Sequence, residues 1–268
     1  MRIKTPRILK ALTGPVVDVV FPQGCWADGA GEVTLGLSTG AREAIAALAA
    51  QPFCHFCGLT VGPHETHNKK NPCGRCGQRA VGGDRIARVG TFSEPLVTLV
   101  HRFKFGRSWE VAQVLAPFVY QAILRLSEET HTPVDLLIPV PLHWSRRARR
   151  GFNQADEIAR ETAALSRWPV AHALWRKRRT AEQALTDSVI ARRENLRGAF
   201  ACRRRAPKQV AGKHIWLIDD VSTTGATLHA AAGALRQLPR DQRPASINAA
   251  VVCVTDHRAP EVISSAVA

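Results

Sequence analysis

Between residues 85 and 254 the chain alternates short, unbroken apolar runs with longer stretches where apolar residues recur every three or four positions. The first pattern suits buried strands and the second amphipathic helices. Pro95 begins a helix whose Leu96, Leu99, Val100 and Phe103 share one face. A longer helical pattern crosses residues 109–129, and Pro117 is expected to bend or divide it. Residues 135–141, an apolar run bounded by prolines, read as a buried strand, and Asn153 is positioned to cap a helix through Ser166 with Ile158, Thr162 and Leu165 at helical spacing. A weak strand at 170–174, a basic loop and a helix within 186–196 follow. The pattern closes with a strand at 213–218, a helix at 227–238 and a buried strand at 246–254, while residues 41–50 form an earlier alanine-rich helix. Strand and helix in alternation imply an α/β fold with a mainly parallel sheet flanked by helices.

Composition divides the 268 residues into three zones: an N-terminal helical segment (1–50), a cysteine segment (51–82) and the α/β region (85–268). The middle zone is poor in aliphatic residues and rich in Cys, Gly, Pro and His, so it needs a staple to fold. Cys54-x2-Cys57 and Cys73-x2-Cys76, 15 residues apart, have the spacing of a zinc ribbon, a small module in which four thiolates close a tetrahedral structural site. Unmetallated or redox-active cysteines are the alternative. His55, His64 and His67 lie close by, but four thiolates already fill the shell. Cys253, inside an apolar run, reads as a small buried hydrophobe.

Charge narrows the partners. Thirty-seven Lys and Arg against 22 Asp and Glu give a net +15, which favours nucleic acid or a polyphosphate ligand. No apolar run reaches about 18 residues, so no membrane insertion is expected. The basic start, interrupted by Lys10, Gly14-Pro15 and Asp18, lacks a convincing cleavage site, and a cytoplasmic protein is expected.

Residues 217–227, Leu-Ile-Asp-Asp-Val-Ser-Thr-Thr-Gly-Ala-Thr, hold the most specific chemistry. An apolar strand delivers Asp219 and Asp220 to its C-terminal end, where open α/β sheets bind ligands. The turn that follows, Ser222, Thr223, Thr224, Gly225, Ala226 and Thr227, offers backbone N–H groups and hydroxyls to a phosphate at a helix N-terminus. Carboxylates beside a phosphate cradle make sense when they accept hydrogen bonds from hydroxyls of the same ligand, as on a ribose 5-phosphate. An acidic strand end with Thr223 or Thr224 as an ordinary helix cap is the plainer reading. Neither a Walker A loop nor a Gly-x-Gly-x-x-Gly turn is present.

This segment resembles the phosphoribosyl pyrophosphate signature of type I phosphoribosyltransferases. Ile138-Pro-Val-Pro-Leu with Arg146-Arg and Arg149-Arg-Gly-Phe-Asn-Gln154 resembles a block of the ComF family, as do Lys104-Phe105-Gly106, Gln183 with Leu185, and residues 193–200. The resemblance spans about residues 50–255 and implies a zinc ribbon ahead of a type I phosphoribosyltransferase-like domain, in a family that includes DNA-uptake factors of competent bacteria. It further implies that Asp219 and Asp220 hold the ribose, that residues 222–227 hold the 5′-phosphate, and that Mg2+ accompanies phosphoribosyl pyrophosphate. Arg146, Arg147, Arg149 and Arg150 would form the pyrophosphate loop, and Arg178, Arg179 and Gln183 a flexible loop over the substrate. A second cysteine pair common in the family is reduced here to Cys25 after Phe21-Pro22.

The arginine cluster also suits a nucleic-acid patch or a solvated basic surface. Trp144 and Trp175 beside it can stack on bases or pack inside, and Phe152 reads as core. Three functions therefore stand: a phosphoribosyltransferase with an unidentified acceptor, a ligand-sensing or single-stranded-DNA-binding module working with DNA-uptake proteins, and a protein adaptor on the same fold.

Overall fold

The computed structural model describes residues 33–34, 36–62, 72–76, 83–106, 108–177, 196 and 198–256. A short hairpin, β1 (Val33–Thr34) and β2 (Leu37–Ser38), leads into α1 (Thr39–Ala50), whose first turn is capped by the Ser38 side chain accepting from the Ala41 N–H at 3.1 Å. After the cysteine segment come β3 (Arg85–Thr91), α2 (Leu96–Phe105), α3 (Val111–Thr130) and β4 (Leu136–Pro139). Then follow α4 (Trp144–Arg150), α5 (Gln154–Ser166), β5 (Leu174–Arg176), β6 (Phe200–Cys202) and α6 (Ala206–Val210). The chain ends its regular structure with β7 (His214–Ser222), α7 (Ala226–Arg236) and β8 (Ser246–Val254).

Four strands form one parallel sheet in the order β3-β8-β7-β4. Parallel strands need crossover connections, which cover both faces with helices and favour largely apolar strands. Ile215 and Leu217 of β7 enter the core shared with Leu228, Ala231 and Leu235 of α7. Trp216 and Ile218 enter the opposite core with α1, α2, α3 and α5, built around Ile45, Phe103, Leu115 and Ile158. The α/β fold with a mainly parallel sheet, expected from the alternation of patterns, is thus observed.

Several local expectations change. The helix at Pro117 is undivided, because Val114, Leu115, Ala116 and Val119 bury the stripe around the proline and hold both halves in one element. The strand expected at 170–174 splits: Val170 makes one parallel bridge to Leu137, and the chain then leaves the sheet to form β5, antiparallel to β6. Asn153 does stand at the N-cap of α5, yet its amide donates to the Val140 carbonyl at 3.0 Å instead of capping. Leu165 is exposed, and Phe152 packs against Phe103 with ring centroids 5.4 Å apart, as core. Cys253 is buried in its strand, as expected. The helix expected within 186–196 lies outside the described residues except Leu196.

Candidate ribose-phosphate and cysteine sites

Strand β7 runs four residues past the expected end at Ile218, carrying Asp219 and Asp220 inside the strand and stopping at Ser222. Register with β8 continues through Asp219↔Val251, Val221↔Cys253 and Ser222↔Val254, so the sheet itself fixes the acidic pair. The turn between β7 and α7 places Ser222 and Thr224 in buried positions and leaves Thr223 exposed. Gly225 is the N-cap residue of α7 at φ +72°, a left-handed conformation that glycine enters at little cost. It has no side chain to cap with. The Thr224 hydroxyl accepts weakly from the Ala226 N–H at 3.4 Å, so the plainer capping reading is met only in that long contact.

The two aspartates have different surroundings. Asp219 Oδ1 accepts from the Asp220 N–H at 3.0 Å, and Asp220 Oδ1 accepts from the Val221 N–H at 2.8 Å. Asp220 Oδ2 pairs with Lys104 Nζ of α2 at 3.1 Å. Burial, and secondarily the Asp220 charge, push the Asp219 carboxyl well above the ordinary range, with Lys104 opposing. Arg176 of β5 lies within electrostatic reach of both Arg146 and Asp219; burial first, and then Arg146, bring its guanidinium down. It also stacks over Phe200 at 5.3 Å. Neither Lys104 nor Arg176 was assigned a role in the sequence reading. Lys104 lies more than 100 positions from its partner, and no periodicity points one to the other.

Arg146, Arg147, Arg149 and Arg150, expected on a turn, lie on a short helix, α4. His143 starts it: its Nδ1 accepts from the Ser145 N–H at 3.3 Å and lies 2.8 Å from Ser145 Oγ. Gly151 closes it in the left-handed region, donating to the Arg147 carbonyl. Helical geometry sorts the arginines: Arg146 and Arg150, four apart, are half-buried, while Arg147 and Arg149 are exposed. Arg150 donates to Gln154 Oε1 at 3.3 Å and lies 5.8 Å from the centre of the exposed Phe105 ring. Trp144 is 74% exposed and Trp175 is exposed as well. Arg178, Arg179 and Gln183 lie outside the described residues.

The sulfurs of Cys54, Cys57, Cys73 and Cys76 all lie within 4.8 Å of one another. Three of the separations are 3.3, 3.6 and 3.7 Å. A zinc–thiolate bond of about 2.3 Å gives a sulfur tetrahedron with edges of about 3.8 Å, so the four thiolates fit one zinc ion. The segment carrying them covers the open edge of β3, where the Ile86 N–H donates to the His55 carbonyl at 2.7 Å. Buried Arg88 donates to the Gly58 carbonyl at 2.7 Å and to Thr60 Oγ1 at 2.9 Å. Burial lowers its guanidinium to about 10, against the pull of Asp256, so it stays charged at neutral pH. Gly58, at φ +78°, lies so near the sheet that an added Cβ would stand 2.8 Å from Val254 Cγ2.

These features define a class: a parallel α/β protein with an acidic strand end and small-residue turn, and a four-cysteine module docked on the sheet edge. No family profile matches the chain. It is 36% identical over 190 residues to the DNA utilization protein YhgH of Escherichia coli O157:H7, covering 68% of this chain and 77% of the relative. It is 32% identical over 208 residues to competence protein F of Haemophilus influenzae, covering 76% and 85%. Competence protein ComFC of Bacillus subtilis is 28% identical over 192 residues, covering 68% and 71%. The chain belongs to the ComF family. No helix among the described residues is long and apolar enough to cross a membrane.

Proposed function

We propose that this chain is a cytoplasmic ComF-type protein of DNA uptake that binds phosphoribosyl pyrophosphate, or a related ribose phosphate, together with Mg2+. The observation that carries the ligand is the turn after β7: buried Ser222 and Thr224, exposed Thr223, and Gly225 in a left-handed conformation opening α7. Such a turn presents backbone N–H groups and hydroxyls to a phosphate. Residues 222–227 hold the 5′-phosphate, and the acidic strand end meets the ribose hydroxyls through Asp219, with Asp220 beside it paired with Lys104 and bonded to the Val221 N–H. Arg146, with Arg176 in reach, faces the pyrophosphate, and Mg2+ bound to that group neutralises part of its charge. Displacement at the anomeric carbon is the reaction this arrangement suits, and Asp219, its carboxyl raised by burial, is the candidate proton acceptor. The four cysteines hold a structural zinc.

The DNA half rests on the relatives' names and on the outer face of α4. That helix carries exposed Arg147, Arg149 and Trp144, cation and aromatic groups of the kind that single-stranded DNA binders use. Thermal melting with phosphoribosyl pyrophosphate and Mg2+ tests the ligand: a rise in Tm that grows with ligand concentration is expected, and no rise removes the reading. Binding of single-stranded DNA should weaken steeply with salt and fall further in Arg147→Ala/Arg149→Ala; absent or salt-insensitive binding removes the DNA half.

A further inference from the structure

Two adjacent carboxylates beside a phosphate site would repel the ligand they serve unless one is neutralised. Lys104 does this for Asp220. Its ammonium lies 3.1 Å from Asp220 Oδ2, with side-chain exposures of 21% and 13%, so the pair is largely withdrawn from water and poorly screened. Lys104 sits in the last turn of α2, where the helix dipole favours a cation. That turn is itself fixed. Phe103 is fully buried, and its carbonyl accepts from Gln154 Nε2 at 3.1 Å. Asp220 accepts with Oδ1 from the Val221 N–H, and its buried Oδ2, which has no hydrogen-bond partner among the described residues, faces the Lys104 ammonium as an ion pair. Asp219 commits Oδ1 to the Asp220 N–H, and among the described residues no ion pair closes on it.

We infer that Lys104 is a positioning residue: it holds Asp220 as a fixed, neutralised partner, so that Asp219 is the one acidic side chain of the pair left for the ligand. The inference rests on the ribose-phosphate reading above. It assigns unequal tasks to the two aspartates, with Asp219 accepting from the ligand and Asp220 fixing the strand end. Removing the ammonium alone leaves two carboxylates facing a phosphate.

The test is calorimetric titration of the full chain with phosphoribosyl pyrophosphate and Mg2+. Lys104→Met is expected to weaken binding on the order of tenfold, the loss of one charge-assisted contact at a half-buried site. Lys104→Arg should bind within about threefold of wild type. Lys104→Met/Asp220→Asn, which removes both charges, should recover most of the affinity lost in Lys104→Met, which a merely structural lysine would not allow. If Lys104→Met does not melt cooperatively, the other two variants decide on the same criteria. Wild-type affinity in Lys104→Met, or no recovery in the double variant, overturns the inference while leaving the ligand reading intact. Absence of binding in the wild type instead removes the reading on which it rests.

Discussion

Asp219 sets the stability of the fold against the ligand role proposed for it. Burial and the neighbouring Asp220 charge raise its carboxyl well above the ordinary value of 3.8, so the fold prefers it protonated. A raised folded value means that this preference favours the fold fully below the ordinary range and is lost as pH climbs to the folded value. Above the ordinary range the buried carboxyl is therefore a cost to the fold. Asp219→Asn should raise the melting temperature at pH 7 by about 2–4 °C for each kcal/mol recovered, with the gain vanishing below about pH 4. An unchanged or lowered Tm at pH 7 in a melting series would contradict this. The acidic pair itself was legible because two aspartates ended an apolar run before a small-residue turn. Their inequality was not, since it depends on Lys104, delivered by another element.

At the scale of elements, period and punctuation located the strands and helices of the sheet. They failed where a tertiary partner decided the outcome. Continuous burial keeps the helix undivided at Pro117, and the strand expected at 170–174 keeps only the Val170 bridge before the chain turns to pair β5 with β6. The arginine-rich turn became α4 because His143 starts it and Gly151 ends it, and that helix separates two arginines facing the protein from two facing solvent. The cysteine spacing was read correctly as a four-thiolate cluster, but its docking was invisible. The latch is Arg88, a buried charged residue in the middle of β3. Arg88→Met keeps the bulk and leaves the Gly58 carbonyl without that donor, so it should cost about 1–3 kcal/mol in denaturant unfolding. A change below about half a kcal/mol would remove Arg88 as the latch.

Across the whole molecule, three parts lie on one frame: a cysteine module on the β3 edge, an acidic turn at the end of β7, and a basic, aromatic helix after β4. The parts are joined. Thr255 donates through its N–H to the Ser222 carbonyl at 3.0 Å, and the next residue, Asp256, accepts from the Thr60 N–H at 3.0 Å. The turn and the cysteine module are thus tied by two consecutive residues just past β8. Metal analysis should return about one zinc per chain, and its removal by a chelator should lower the melting temperature, because the ion organises a segment too poor in aliphatic residues to fold alone. Substantially less than one zinc, or an unchanged melt after chelation, would contradict the structural role. The central claim is that the turn after β7 recognises a phosphoribosyl group. Calorimetric titration of the wild type and of Asp219→Asn/Asp220→Asn with phosphoribosyl pyrophosphate and Mg2+ tests it most directly. Saturable binding of about one ligand per chain, lost or weakened at least tenfold in the variant, is the predicted result. No binding to the wild type, or equal binding to both, would contradict it.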